Sequence, residues 1–188
     1  MRNVVLLEHV SLDGYLAGPK GEMDWIHVDD DVWDTVHPVI DDADAVIWGR
    51  VTYQMMAGYW PTAADQPDAS RHDIHHGRWL RDATKIVFSN SLKASDWPNT
   101  RLVRGDPIPA VASLKREPGK NILLIGSVSL AQTFIRLGLI DQYRLTVNPV
   151  LLGAGAPLFP SGGSQVGLKL VEAKALQSGV VALHYERP

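Results

Sequence analysis

The chain has 188 residues, enough for one domain with a sizeable core or for two small ones, and its net charge of −3 offers no basic excess to neutralise a nucleic-acid backbone. Hydrophobic residues make up 45% and charged residues 21%, the balance of an ordinary soluble globular protein. There is no cysteine, which excludes disulfides, thiolate zinc sites and cysteine nucleophiles and fits a reducing cytoplasm.

The first apolar run, residues 4–10, reads as a strand. It is short and broken by Glu8 and His9, so it is no secretory signal, and no stretch approaches the roughly 20 apolar residues of a membrane span. A soluble cytoplasmic protein is expected. Residues 11–28 are glycine-rich and read as a long loop. Val32, Trp33, Val36 and Ile40 recur at helical spacing, which predicts a helix over 31–40 with Pro38 near its end. Asp41, Asp42 and Asp44 follow as a solvated turn. Residues 45–48 form a short buried strand and 50–56 a short helix. Residues 57–70 carry prolines and small polar residues and read as an exposed loop. A helix over 72–81 and a strand over 85–88 come next.

The second half keeps the rhythm: a strand at 101–103, a helix over 110–115, a strand at 121–125, and a helix over 127–137 closed by Gly138. Tyr143, Leu145 and Val147 alternate with Arg144 and Thr146, the period of a half-buried strand. The end reads as two strands joined around Ser178-Gly179. Strand and helix alternate first and antiparallel strands come last. That order predicts a single α/β domain over 1–188, with a mostly parallel mixed sheet, helices on both faces and a C-terminal antiparallel hairpin.

Ligands of such sheets sit beyond the carboxyl ends of parallel strands. Three strand ends qualify: Gly49-Arg50-Val51-Thr52, Ser89-Asn90-Ser91 and Gly126-Ser127-Val128-Ser129. Glycine and serine let a phosphate approach backbone N–H groups at a helix start, and arginine adds a planar charged fork. Each also has a plainer reading, a tight turn or an N-cap serine. Neither the G-x-G-x-x-G fingerprint nor a G-x-x-x-x-G-K-[ST] loop occurs, so a Rossmann dinucleotide site and a triphosphatase site are both disfavoured. "GSVSL" lacks the surroundings of a nucleophile elbow, which argues against a hydrolase.

The ordered set "SLDGYLAG", "WGRVTY", "KIVFSNSL", "LLIGSVSLAQTFI" and "GLIDQYRLTVNPVLLGAGAPLF" resembles the dihydrofolate reductase-like superfamily, closest to the reductase domain of bacterial riboflavin biosynthesis and its stand-alone relatives. The resemblance implies NADPH as cofactor and hydride transfer to a small pterin- or pyrimidinone-like heterocycle or a carbonyl compound. It matches Gly49, Arg50 and Thr52 to a phosphate site, Ser89 and Asn90 to the wall beside the adenosine, and Gly126, Ser127, Val128, Ser129 and Leu130 to the pyrophosphate loop. Many members have two successive glycines in that loop; here the second is Ser127, and a cis bond there is left open. Loop residues near the nicotinamide add Ala17 to the cofactor set and Asp13 to the catalytic candidates.

The resemblance also implies Asp30 as the acid contacting the substrate, with Asp31 as alternative, Trp25 at the end of the first loop, and Thr146 as the strand threonine supporting the acid. Each has a plainer reading: acids favouring a helix N-terminus, a turn aspartate, a solvent-facing threonine. Trp60 is a candidate lid over a flat substrate. His72, His75 and His76 share a helical face at possible metal spacing, though a surface cluster is the simpler reading and no metal is assigned. The rival class is a nucleotide- or pterin-binding module of the same fold without turnover. The apolar segment 147–160, with Leu151, Leu152, Leu158 and Phe159 among Pro149, Gly153, Gly155, Pro157 and Pro160, implies a homodimer interface or a loop folded onto its own core.

Overall fold

The computed structural model describes residues 1–159, 161–162 and 165–188; Pro160 lies outside them. In chain order the elements are β1 (Val4–Ser11), β2 (Tyr15–Ala17), α1 (Asp30–Asp41), β3 (Ala43–Gly49), α2 (Arg50–Ala63), α3 (Arg71–Asp82), β4 (Thr84–Phe88), β5 (Thr100–Val103), α4 (Pro107–Arg116), β6 (Asn121–Ile125), α5 (Val128–Arg136), β7 (Gln142–Asn148), β8 (Ala156–Pro157), β9 (Lys169–Ala175) and β10 (Val181–Glu186). Eight strands form one sheet in the order β5-β4-β3-β6-β1-β7-β10-β9. Strands β5 through β7 run parallel, and β10 turns antiparallel between β7 and β9. The expected mixed sheet with a C-terminal hairpin is what the chain builds.

Alternation along the central strand divides the core in two. Val4, Leu6 and Val10 of β1 pack with Val111 and Leu114 of α4 and with Ala131 and Phe134 of α5. Val5 and Leu7 turn the other way, to Val32, Val36 and Ile40 of α1, Tyr53 of α2 and Leu80 of α3. The central strands are apolar on both sides, as a sheet covered on both faces requires.

Two elements depart from expectation. Residues 57–63 continue α2 and are not an exposed loop, although Gly58 and Pro61 lie inside the helix. Packing decides this: Ala63 is buried, and Gly77 of α3 lets the end of α2 come close, since a Cβ there would stand 3.1 Å from Ala64 Cβ. The long loop after β1 also holds a strand, β2, which pairs antiparallel with β8. That pairing ties the first loop to residues 148–158. Leu12 N–H donates to the Val150 carbonyl at 2.9 Å and Leu158 N–H to the Gly14 carbonyl at 2.9 Å. At Gly155 any Cβ would collide with the Ala17 carbonyl, so only glycine allows the approach.

Candidate functional site

Strands β3 and β6 are neighbours, yet α2 leaves β3 toward the α1 face and α5 leaves β6 toward the α4 face. Helices departing to opposite faces open a crevice at the carboxyl ends of the two strands, the usual ligand position of an open α/β sheet. Register sets its shape. Gly49 pairs with Phe88, Ile47 with Leu124, and Leu7 with Ile125, so Gly49, Phe88, Gly126 and Glu8 end at one level. Strands β1 and β7 run on together to Ser11 and Asn148. Three further residues at about 3.3 Å each raise a wall of roughly 10 Å beside the floor.

The floor is made of turns. Gly49 caps α2 with no side-chain hydrogen bond, so N–H groups of the first turn of α2 have no side-chain cap. Gly126 and Ser127 are both left-handed, at φ +64° and +57°. A non-glycine residue in that region costs on the order of 1 kcal/mol or more and must be held. Ser127 is held by its hydroxyl, which accepts the Gly49 N–H at 2.9 Å and so joins the two turns. Its carbonyl accepts from Leu130 and Ala131 at 2.8 and 2.9 Å, starting α5, while no side chain caps the helix. Thr52 lies against Gly126: a Cβ on the glycine would meet Thr52 Cγ2 at 3.4 Å. Arg50 is exposed, bonds only Gln54 Oε1 at 2.9 Å, and makes no ion pair among the described residues. The peptide bonds of this turn are trans, as all described ones are.

Beyond β4, Ser89 Oγ accepts the Leu92 N–H at 3.0 Å, and Asn90 Oδ1 accepts the Gly105 N–H at 3.1 Å. Both side chains shape the loop at the rim. Ala17 stands in β2, while Val128 and Leu130 pack partly into the core and Ser129 is exposed. The structure thus gathers Gly49, Arg50, Thr52, Gly126, Ser127, Val128 and Ser129 around one crevice, with Ser89 and Asn90 at its β4 side.

At the other end, several residues have different work from that expected. Asp13 accepts the Ser11 hydroxyl at 2.6 Å and the N–H groups of Leu152 and Gly153 at 3.2 and 2.7 Å. These bonds hold its carboxyl below its ordinary range, so it stays ionised as a clamp and is not poised to give a proton. Asp31 Oδ2 accepts the Gln177 N–H at 2.7 Å and ties α1 to the β9–β10 turn. Asp30 sits exposed in the first turn of α1, which Asp29 caps, and its side chain makes no hydrogen bond among the described residues. Trp25 is half-buried, its indole N–H on the Glu22 carbonyl at 3.0 Å.

Thr146 is buried, not solvent-facing, and pairs with His9 Nδ1, not with an acid. This His9–Thr146 pair escaped sequence reading, because nothing local says which polar residues on two strands face each other. The 3.6-residue period of α1 then brings Trp33 edge-on to His9, ring centroids 6.0 Å apart. Burial depresses the His9 pKa to about 4, so the imidazole is neutral at ordinary pH. Asn148 was also missed. It is fully buried and accepts the His27 N–H at 2.8 Å, fixing the loop that leads into α1.

Trp60 is not a loop lid. It lies on α2 against His72 and His76, with centroids at 5.7 and 4.4 Å. The histidine cluster is an aromatic stack: Trp33 on His72 at 3.5 Å and His37 on His75 at 4.0 Å, with His37 Nε2 3.1 Å from His72 Nδ1. Among the described residues no group of three or more potential ligands could hold a metal ion. A groove of about 310 Å³ lies between α1 and β7, β9 and β10, lined by Arg144, Glu172 and His184 and reaching Thr146.

The RibD C-terminal domain family model matches residues 2–182. The chain belongs to that family. Among its relatives, YyaP of Bacillus subtilis (strain 168) is 36% identical over 98% of this chain and 94% of its own, and YwjB of the same strain is 30% identical over 99% and 98%. Among solved structures, a protein of Shewanella sp. PV-4 superimposes with a TM-score of 0.76 at 25% identity, covering 100% of this chain and 99% of that one. A pyrimidine reductase-like protein of Corynebacterium diphtheriae gives 0.69 at 16% identity, over 100% and 92%. The Thermotoga maritima diaminohydroxyphosphoribosylaminopyrimidine deaminase/5-amino-6-(5-phosphoribosylamino)uracil reductase gives 0.67 at 16%, and this RibD C-terminal-type chain spans 57% of it. These last two likenesses establish the fold. No described helix is long and apolar enough to cross a membrane.

Proposed function

We propose that the protein is an NADPH-dependent reductase that passes a hydride to a small heterocycle of the pyrimidinone or pterin type, or to a carbonyl compound. The observation that carries this reading is the crevice floor, where two helix starts without side-chain caps meet and Arg50 stands beside them without a carboxylate partner. Such a floor suits a dinucleotide's phosphates. Family membership supports reductase chemistry.

The strand order suggests how the cofactor would lie. With adenosine beside β4 and phosphates over β3 and β6, the next strand along the sheet is β1. The nicotinamide would then stand against the wall of β1 and β7, and the substrate on the side where His9, Thr146 and Trp33 meet. The cofactor supplies the hydride; the chain orients the two partners and excludes water. A neutral His9 would fix a polar substrate edge, and protonation would come from a bound water or from Asp30 moving in.

A mixture of the protein, NADPH and a panel of pyrimidinones, pterins and quinoid carbonyls tests this reading by loss of absorbance at the reduced nicotinamide band. Oxidation with at least one member is expected. NADPH binding with no turnover across the panel would favour the binding-module alternative.

The protein is further proposed to pair as a homodimer. Leu158 folds into its own core, but Leu151 is 70% and Phe159 47% exposed, and the edge strand β9 shows Leu170 and Val171 to solvent. Light scattering should give twice the 20.7 kDa of one chain. A single-chain mass that persists on concentration would exclude the pair.

A further inference from the structure

The core on the α1 side of the sheet stops at β1. Its strand residues come from β1, β3, β4 and β6, and none from β7, β9 or β10. Past β1 that side of the sheet turns polar. Leu7 stands in register with Arg144, Arg144 with His184, and His184 with Glu172, so one row crosses four strands. The groove of about 310 Å³ runs over this row along the flank of α1, between Thr146 and Gln142. Leu7, Val36, Val39 and Ala182 give it apolar walls, and Arg144 is its central cation.

A polar row on an open sheet face has a plain reading as solvated surface. Arg144 does not fit it. The side chain is half-buried, its Nε is buried with no hydrogen-bond partner, and it makes no ion pair among the described residues. Burial pulls its pKa below the ordinary value against the pull of the carboxylates around it. Those carboxylates are engaged elsewhere. Asp34 holds Arg71 at 2.8 Å, Asp42 accepts the Asn121 side-chain amide at 2.7 Å, and Glu186 lies 3.3 Å from His184 Nε2. A guanidinium taken partly out of water and left unpaired is costly, and a bound anion would remove that cost.

We propose that this groove is a second binding site, for a small organic monocarboxylate whose carboxylate lies side-on to Arg144 and whose apolar body lies against α1. The planar fork of arginine offers Nε–H and one Nη–H together to a carboxylate. A cleft of this size with apolar walls and one placed charge is the usual form of a small-ligand site. A single negative charge suits it better than the two of a phosphate monoester, because Asp34, Asp42 and Glu172 also line the groove. The site does not rest on the dinucleotide reading.

The test titrates benzoate, benzamide and phenyl phosphate into isotope-labelled protein, followed by backbone amide NMR. Benzoate should shift the amides of Arg144, Leu145, Ala182 and Leu183 with millimolar affinity and leave those of Gly49 and Gly126 in place. Benzamide, of the same shape without the charge, should bind at least tenfold more weakly, and phenyl phosphate more weakly than benzoate. Arg144→Gln should lose at least tenfold in benzoate affinity, and Arg144→Lys, which keeps the charge but not the fork, should fall between. Should Arg144→Gln fail to fold, the benzamide comparison and Arg144→Lys decide. No shift at the groove, shifts gathered at Gly49 and Gly126, benzamide equal to benzoate, tighter phenyl phosphate, or unchanged affinity in either variant overturns the proposal.

Discussion

The two sides of β1 are made differently. Toward α5 the crevice is backbone: Gly49, Gly126, a left-handed Ser127 and helix starts without side-chain caps. Toward α1 and α3 it is side chains: His9 on Thr146, Trp33 on His72, and a run of stacked imidazoles and indoles. A backbone site accepts few substitutions because its shape is set by φ and by clearance. A side-chain site can be rebuilt one residue at a time. The first suits a ligand read through its phosphates by backbone N–H groups, the second a ligand read by side chains.

The largest effect that would sharpen this contrast is expected at Gly126. Gly126→Val puts a branched side chain at φ +64°, against Thr52, in the proposed phosphate space. NADPH binding should fall more than a hundredfold, with a folded circular dichroism spectrum and a lowered Tm. Retained affinity would move the phosphates elsewhere. Next in size is Arg50→Ala. A charge-assisted bond is worth about 1.5–3 kcal/mol, so NADPH affinity should drop roughly 10- to 150-fold while NADH affinity stays level. Equal losses for both nucleotides would remove Arg50 from the 2′-phosphate.

The side-chain half should answer to acid instead. Burial lowers His72 to about 4 and His76 to about 3, against about 6.5 when unfolded. The unfolded chain therefore takes up protons first. The stability contributed is full above about pH 6.5 and is lost as pH falls toward those lower values, by up to about 1.4 kcal/mol per pH unit for each histidine. Denaturant titrations at pH 7 and 5 should show it, and His76→Leu should flatten the slope. An unchanged slope would mean the stack opens without charging. Smallest of all should be Trp60→Phe. With the indole set into α2 against α3, the change should lower Tm slightly and leave kcat/KM within about threefold. A large kcat/KM loss at unchanged stability would restore the lid.

The alternation of strand and helix that makes the first half a parallel sheet was legible because each strand is a short apolar run beside a helical period. That strands end at Gly49, Phe88 and Ile125 was legible too, since the glycines and serines that follow mark the ends locally. What local pattern could not show was contact. Gly58 and Pro61 signal a break, but the α2–α3 packing at Gly77 overrides it. Asp13 looks the same whether it gives a proton or grips Leu152 and Gly153, which lie 139 and 140 residues away. The His9–Thr146 pair spans 137 residues and exists only once β1 and β7 are in register.

That register has a consequence for how such a protein can change. Glu8 and His9 are successive residues on one strand, and pleating sends one to each side of the sheet. Inserting or deleting a single residue before them would exchange the two sides at once, putting a histidine under the Gly126 turn and a carboxyl in the aromatic stack. Variation by length is therefore closed to this strand. A change in what this side of the sheet can contact would therefore come by substitution along α1, α2 and α3, with the register of β1 kept.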